Sequence, residues 1–129
     1  MIGFTGSPRK GYAVDELIGA VNAVLAQSVE TSVALDGVGN LGRAILAYYT
    51  NRQPWVRFVA AFDRDPDKAN RIIHGCRVFP FDQAEDVLGR EGIRAAVITV
   101  PAAEAQRVAD RLVLAGVRSF LNFAPVRLH

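Results

Sequence analysis

The feature that most constrains this chain is a loop of three glycines at fixed spacing, Gly37-Val38-Gly39-Asn40-Leu41-Gly42. It is flanked by two different periodicities. Thr31 to Leu35 is a short β-branched and apolar run, the pattern of a buried strand, and Leu41 to Tyr49 places its apolar residues at helical intervals. A strand that turns through glycines directly into a helix imposes a role on each of them. Gly37 permits the tight turn, Gly39 lets a bound group approach the backbone, and Gly42 lets the helix pack closely on the strand. The first N–H groups of a helix have no partner within it and carry partial positive charge, so such a turn suits a phosphate.

A second apolar run, Val56 to Phe62, ends in Asp63, which lies 21 positions beyond Gly42. An acid at that place can accept hydrogen bonds from ribose hydroxyls and repels a 2′-phosphate. Loop and acid together predict a dinucleotide site, with NAD(H) favoured over its phosphorylated counterpart. Arg64 pulls the other way, because an adjacent arginine is one means of accepting a 2′-phosphate. The blander reading is that the glycines only form a turn and that Asp63 only caps a strand end. Asp36, directly before the loop, is unexpected, since a carboxylate beside a pyrophosphate is unfavourable.

The remainder continues the alternation. Val14 to Gln27 reads as a helix, with Asp15 and Glu16 near its positive end. Asp65-Pro66-Asp67 predicts a short helix with Asp65 as cap and Pro66 in first position. Cys76 to Phe79 is a third strand, and Asp82 to Arg90 a helix capped by Asp82. Ala95 to Val100 is a fourth strand closed by Pro101. Ala102 to Ala115 is an amphipathic helix stopped by Gly116, and Val117 to Leu121 is a fifth strand. Short apolar strands alternating with helices predict an α/β, Rossmann-type doubly wound parallel sheet. The expected strand order is 3-2-1-4-5, with an extra N-terminal helix leading in. Residues 1 to 12, rich in glycine, read as a loop or tail, and residues 13 to 129 as the folded domain.

Ligands in such folds lie at the carboxyl ends of the strands. Thr99-Val100-Pro101 and Asn122-Phe123-Ala124-Pro125 fall at that edge, where Phe123 could wall a flat ring and Asn122 could hydrogen-bond an amide. They read equally as helix entry and strand exit, with Phe123 in the core. Candidates for catalysis are sparse. His74 sits in an expected loop, His129 is the last residue, and Cys76 is isolated at a strand start. A binding protein is therefore expected rather than an enzyme.

Composition narrows the rest. The 129 residues suit one domain, and 50% are hydrophobic, enough for a core. A formal charge of +2 gives little support to nucleic-acid binding by this chain alone. One cysteine and two histidines exclude a disulfide framework and disfavour a zinc site. No segment has the length of a membrane span or the shape of a secretion signal, so a cytoplasmic setting is expected.

At this level of detail the chain resembles the NAD(H)-binding domain of the Rex family of redox-sensing repressors. The resemblance is carried by Arg9-Lys10-Gly11-Tyr12, the glycine loop with Arg43-Ala44, Ala60-Ala61-Phe62-Asp63, Thr99-Val100-Pro101-Ala102, and Leu121-Asn122-Phe123-Ala124-Pro125-Val126-Arg127-Leu128. The loop alone is generic, whereas its combination with the Asn-Phe-Ala-Pro-Val ending is specific. The broader class is the CoA-binding-like Rossmann domain.

The resemblance implies a homodimer that responds to NADH and NAD⁺. It implies DNA binding only through a winged-helix domain, which this chain lacks. It places Gly37 to Gly42 at the pyrophosphate, Asp63 at the adenosine ribose, and Pro101 with Asn122 to Pro125 near the nicotinamide. Tyr48 falls near the nicotinamide and the partner subunit. Residues 1 to 12 then correspond to a linker or wing remnant. The family's C-terminal exchanged helix has no counterpart, and Asp36 stands where an apolar residue is usual. A CoA-binding domain of an acyl-CoA or succinyl-CoA ligase-like protein is the alternative. An oxidoreductase fragment and a dimerisation module without ligand are weaker ones.

Overall fold

The structure is a computed structural model that describes residues 2–5, 14–26, 32–50, 56–124 and 128. In chain order the elements are β1 (Ile2–Thr5), α1 (Val14–Ala26), β2 (Ser32–Asp36), α2 (Asn40–Tyr49), β3 (Arg57–Asp63), β4 (Arg71–Ile73) and β5 (Cys76–Pro80). A 3₁₀ turn at Phe81–Gln83, α3 (Ala84–Glu91), β6 (Ala95–Ile98), α4 (Ala102–Leu114) and β7 (Ser119–Asn122) complete them.

Among the described residues seven strands form one sheet in the order β1-β7-β6-β2-β3-β5-β4. Every neighbouring pair is parallel except β4 with β5. The five strands expected from sequence are β2, β3, β5, β6 and β7, and they occur in the expected 3-2-1-4-5 order. The winding reverses between β2 and β6, so the crevice opens at the carboxyl end of β2, where the glycine loop begins.

Alternation along each strand divides the core in two. Val33, Leu35, Ala61, Val97 and Leu121 pack toward α1 and α2 with Ile18, Val21, Ile45 and Leu46. Ala34, Ala60, Phe62, Ala96 and Ile98 pack toward α3 and α4. Helix α4 buries Ala105, Val108, Ala109 and Leu112, one stripe at i, i+3, i+4 and i+7. The central strands have both faces covered, which is why they read as continuous apolar runs.

Three expectations need correction. Residues 2–5 are not loop: β1 pairs with β7 in parallel, from Ile2 opposite Ser119 to Thr5 opposite Asn122. The helix expected at Asp65 is a single turn, in which the N–H groups of Lys68 and Ala69 both donate to the Asp65 carbonyl. Asn70 then takes φ 61° and donates its N–H to the Val78 carbonyl at 2.8 Å, diverting the chain into the β4–β5 hairpin. His74 (φ 47°) and Gly75 (φ 76°) form the two-residue turn of that hairpin, both in the left-handed region as the strand twist requires. Finally, Asp82 lies within the 3₁₀ turn and caps nothing; α3 starts behind Gln83 without a side-chain cap.

Candidate functional site

The glycine loop, the β3 end and the first turns of α4 enclose a cavity of about 1040 Å³ at the carboxyl edge of the sheet. Of the residues singled out in the sequence, Gly37, Val38, Gly39, Asn40, Leu41, Asp63, Arg64, Thr99, Val100, Pro101 and Phe123 line it. Gly42 lies buried behind the loop. Asn122 and Ala124 are buried and do not line the cavity: the Asn122 Oδ1 accepts the Ala124 N–H at 3.0 Å and shapes the turn after β7. Tyr48 belongs to the opposite layer, half-buried with its ring edge-on to Tyr49 at 5.1 Å. Pro125 lies outside the described residues.

The three glycines differ in what the fold asks of them. Gly37 has φ +100°, and a Cβ there would meet the Thr99 carbonyl at 2.8 Å. A Cβ on Gly42 would meet the Gly37 carbonyl oxygen at a distance no real contact allows. Packing alone therefore explains both. Gly39 is different: its backbone is extended (φ −88°, ψ −160°), open to any residue, and a Cβ would meet nothing within 4 Å. Nothing inside the protein requires a glycine there. What the missing side chain leaves clear is the cavity in front of the α2 N-terminus. That helix has no side-chain cap and no acid in its first turn, so its leading N–H groups and partial positive charge face the cavity.

Asp63 ties this loop to β3. Its Oδ2 accepts the Val38 N–H at 2.8 Å and its Oδ1 accepts the Asp65 N–H at 2.9 Å. Each carboxylate oxygen retains acceptor capacity for a further donor. Arg64 is paired with Glu104, Nη1 to Oε1 3.1 Å, on the cavity wall, a pair that joins the β3 end to α4. Lys68, Phe81, Glu104 and Arg107 also line the walls and were not singled out from the sequence, and Asp65, read there only as a helix cap, joins them. Only the sheet order brings the β5 exit and the second turn of α4 to this edge, so no local pattern marks them.

Thr99 buckles the loop onto β6. Its hydroxyl donates to the Gly37 carbonyl at 2.6 Å, and its N–H donates to the Asp36 carbonyl at 2.7 Å. Thr99→Val keeps the shape and removes the hydroxyl. The expected cost is about 1 kcal/mol, read as a lower denaturant midpoint at unchanged slope. An unchanged midpoint would show that this bond contributes nothing.

The residues considered for catalysis lie elsewhere. His74 is exposed at the hairpin tip, and Cys76 is buried, its thiol pushed up to about 11 by burial. His129 lies outside the described residues. Among the described residues no group of His, Cys, Asp and Glu is arranged to hold a metal, and no helix is long and apolar enough to cross a membrane.

A crossover sheet with a glycine-lined cleft at its switch point defines a Rossmann-type α/β domain. The chain belongs to the CoA-binding domain family, which it matches over residues 28–126. Over 127 residues it is 44% identical to the redox-sensing transcriptional repressor Rex of Anoxybacillus flavithermus, an alignment covering 98% of this chain. Among solved structures it is similar to RSP, a Rex-family repressor. RSP in complex with β-NADH matches with TM-score 0.73 and 30% identity over 92% of this chain. RSP with β-NAD⁺ and operator DNA matches with TM-score 0.72 and 31% identity over 96%. The chain spans 59% of the length of the Anoxybacillus repressor, and 57% and 58% of the two RSP chains.

Proposed function

We propose that this chain is the NAD(H)-binding and dimerisation domain of a Rex-like redox-responsive repressor, acting in the cytoplasm. The observation that carries the reading is Gly39, a glycine the fold does not need, at the mouth of an uncapped helix facing the cavity. In this reading Gly37 to Gly42 receive the pyrophosphate and Asp63 the adenosine ribose. Thr99, Val100, Pro101 and Phe123 wall the nicotinamide end, shaped from beneath by Asn122 and Ala124. Pro125 and Tyr48 are assigned there by resemblance to the family, Tyr48 through a second copy of the chain. DNA is contacted only through a winged-helix domain outside this sequence.

Support comes from RSP, whose structures hold NADH in one case and NAD⁺ with operator DNA in the other. A sensor needs differential affinity for the two oxidation states, because a ligand pair bound equally shifts no equilibrium. No turnover is proposed.

The test is a calorimetric titration with NADH, NAD⁺, NADPH and CoA. Tighter binding of NADH than of NAD⁺, with CoA silent, supports the sensor. Equal affinity for both oxidation states removes the sensing claim. Binding of CoA alone moves the chain to the ligase-like reading that the family match also allows, although Asp63 beside the ribose would oppose a 3′-phosphate.

Asp63 gives a second, sharper expectation. Asp63→Ala removes the acceptor for the ribose hydroxyls, hydrogen bonds to a charged group worth about 1.5–3 kcal/mol. NADH affinity should fall roughly 10- to 100-fold, by that same energy. NADPH affinity should fall far less, since the carboxylate that repels its 2′-phosphate is gone too. Equal losses for the two nucleotides would refute the role in discrimination and leave Asp63 as a loop tie alone.

A further inference from the structure

The β2 strand ends in a carboxyl group that the fold does not pair. Asp36 is 1% exposed, and neither of its oxygens has a hydrogen-bond partner among the described residues. Strand alternation sets it on the α3/α4 face, beside Ala34, and it lines the same cavity as the glycine loop. Its own carbonyl is fixed by Thr99, so the backbone cannot carry the group elsewhere.

The charges around it do not relieve it. On β3, Asp63 is a like charge. On α4, Arg111 is the cation that acts on it, but Arg111 is bound to Glu85 through two hydrogen bonds, of 3.0 and 2.6 Å. On α4 as well, Glu104 is paired with Arg64, while Arg107 and Lys68 stand on the cavity walls. Asp82, before α3, acts on Arg111 rather than on Asp36.

Burying a carboxylate without a donor is far costlier than burying the neutral acid. Burial accordingly holds the Asp36 carboxyl well above its usual range, Asp63 adds to the shift, and Arg111 opposes it.

Resting on the nucleotide-binding reading above, we infer that Asp36 makes this site proton-linked, so that the dinucleotide is bound together with the neutral form of this acid. A pyrophosphate at the loop is a further negative charge near Asp36 and favours the protonated acid more strongly. Binding and protonation therefore reinforce each other. Below the pKa of the empty site, affinity does not depend on pH through this group. Above it, affinity falls by up to tenfold per pH unit, until the pKa of the loaded site is reached. No bond is made or broken apart from the O–H of the carboxyl, whose proton comes from solvent.

The empty protein carries the same signature. Asp36 is raised in the folded state relative to its unfolded value, so the folded chain binds more protons. Its contribution to stability is fully present below the unfolded pKa and is lost as pH rises toward the folded one.

The experiment is an NADH titration of the full chain by calorimetry from pH 6 to 9, in two buffers of different ionisation enthalpy. Wild type is compared with Asp36→Asn and Asp36→Leu, and thermal unfolding of each is followed over the same range. The expected wild-type result is an affinity that falls with pH and uptake of up to one proton on binding. Both variants should be flat by comparison and bind more tightly than wild type at the alkaline end. Parallel profiles in wild type and variants would overturn the inference while leaving the nucleotide site standing. Binding by the variants at every pH, with none by wild type, would also overturn it, because Asp36 would then block the site as an anion. Silence from all three proteins would overturn the nucleotide reading itself, and this inference with it. Should Asp36→Asn unfold, because a buried amide is also left unpartnered, Asp36→Leu carries the comparison alone.

Discussion

Gly39→Val should abolish NADH binding while leaving the fold intact. The valine side chain would stand in the cavity in front of the α2 N-terminus, since a Cβ at this position meets no protein atom within 4 Å. A pyrophosphate reaching for the leading N–H groups would be pushed away from them. Loss of one charge-assisted hydrogen bond, about 1.5–3 kcal/mol, corresponds to a fall in affinity of roughly 10- to 100-fold, and loss of two to roughly 100-fold or more. Stability should move little. The backbone at Gly39 is extended, so valine meets no conformational strain. A poorer N-cap and a stiffer unfolded chain act in opposite directions, each by up to about 1 kcal/mol. Calorimetry and thermal unfolding on the same sample decide the matter. NADH affinity unchanged by valine would mean that the cavity at Gly39 does not receive the nucleotide, and the proposed function would lose its carrying observation.

Gly42→Ala should do the reverse and cost stability. In an ordinary helix this change gains about 1 kcal/mol from propensity. Here the new Cβ collides with the Gly37 carbonyl oxygen and sits 3.1 Å from both Leu35 Cδ2 and Thr99 Oγ1. The Gly37 carbonyl cannot retreat easily, because the Thr99 hydroxyl donates to it and the Gly37 N–H donates to the Phe62 carbonyl at 2.9 Å. Either the loop or α2 must shift away from β2. Overpacking of this kind costs about 1–3 kcal/mol, and because the target is backbone the cost falls at the upper end, which leaves a net loss of about 2 kcal/mol after the helix gain. A fall in Tm of several degrees follows for a domain of this size. A Tm equal to or above that of wild type would show that the helix–strand approach is looser than its geometry implies. The two substitutions separate the glycines of one motif by mechanism: one serves the cavity, the other the packing.

The spacing of the motif already assigns the three glycines separate roles, in the turn, in the approach of a bound group and in helix packing. Gly37 and Gly42 answer to packing inside the fold, against Thr99 and the β2 end, and would be needed in a domain that bound nothing. The distinction at Gly39 depends on what stands opposite it, which is a property of β6, α4 and the loop together. Asp63 shows the same division. Its place at the end of a strand beyond the loop was legible from spacing, whereas its hold on the Val38 N–H was not, since that bond spans 25 residues. Arg64 left the reading for or against a 2′-phosphate open. The structure engages it with Glu104, forty residues on, which no periodicity could announce.

By itself the sequence determined the architecture of the central sheet. Five short apolar runs separated by helical periods admit few arrangements, and right-handed crossovers reduce these to the one observed. It also determined where the crevice lies and that the glycine loop opens onto it. The tertiary structure alone decided the edges. Strands β1 and β4 are four and three residues long and are made by pairing with β7 and β5, not by any pattern of their own. It alone decided the state of Asp36, flagged in the sequence as an unfavourable neighbour for phosphate. Whether that carboxyl points to water, meets a cation or is enclosed without a partner depends on side chains contributed by β3 and α4. Local propensity acts within a few residues, whereas burial and electrostatics sum over whatever the fold brings near, and that sum here holds the Asp36 carboxyl well above its usual range.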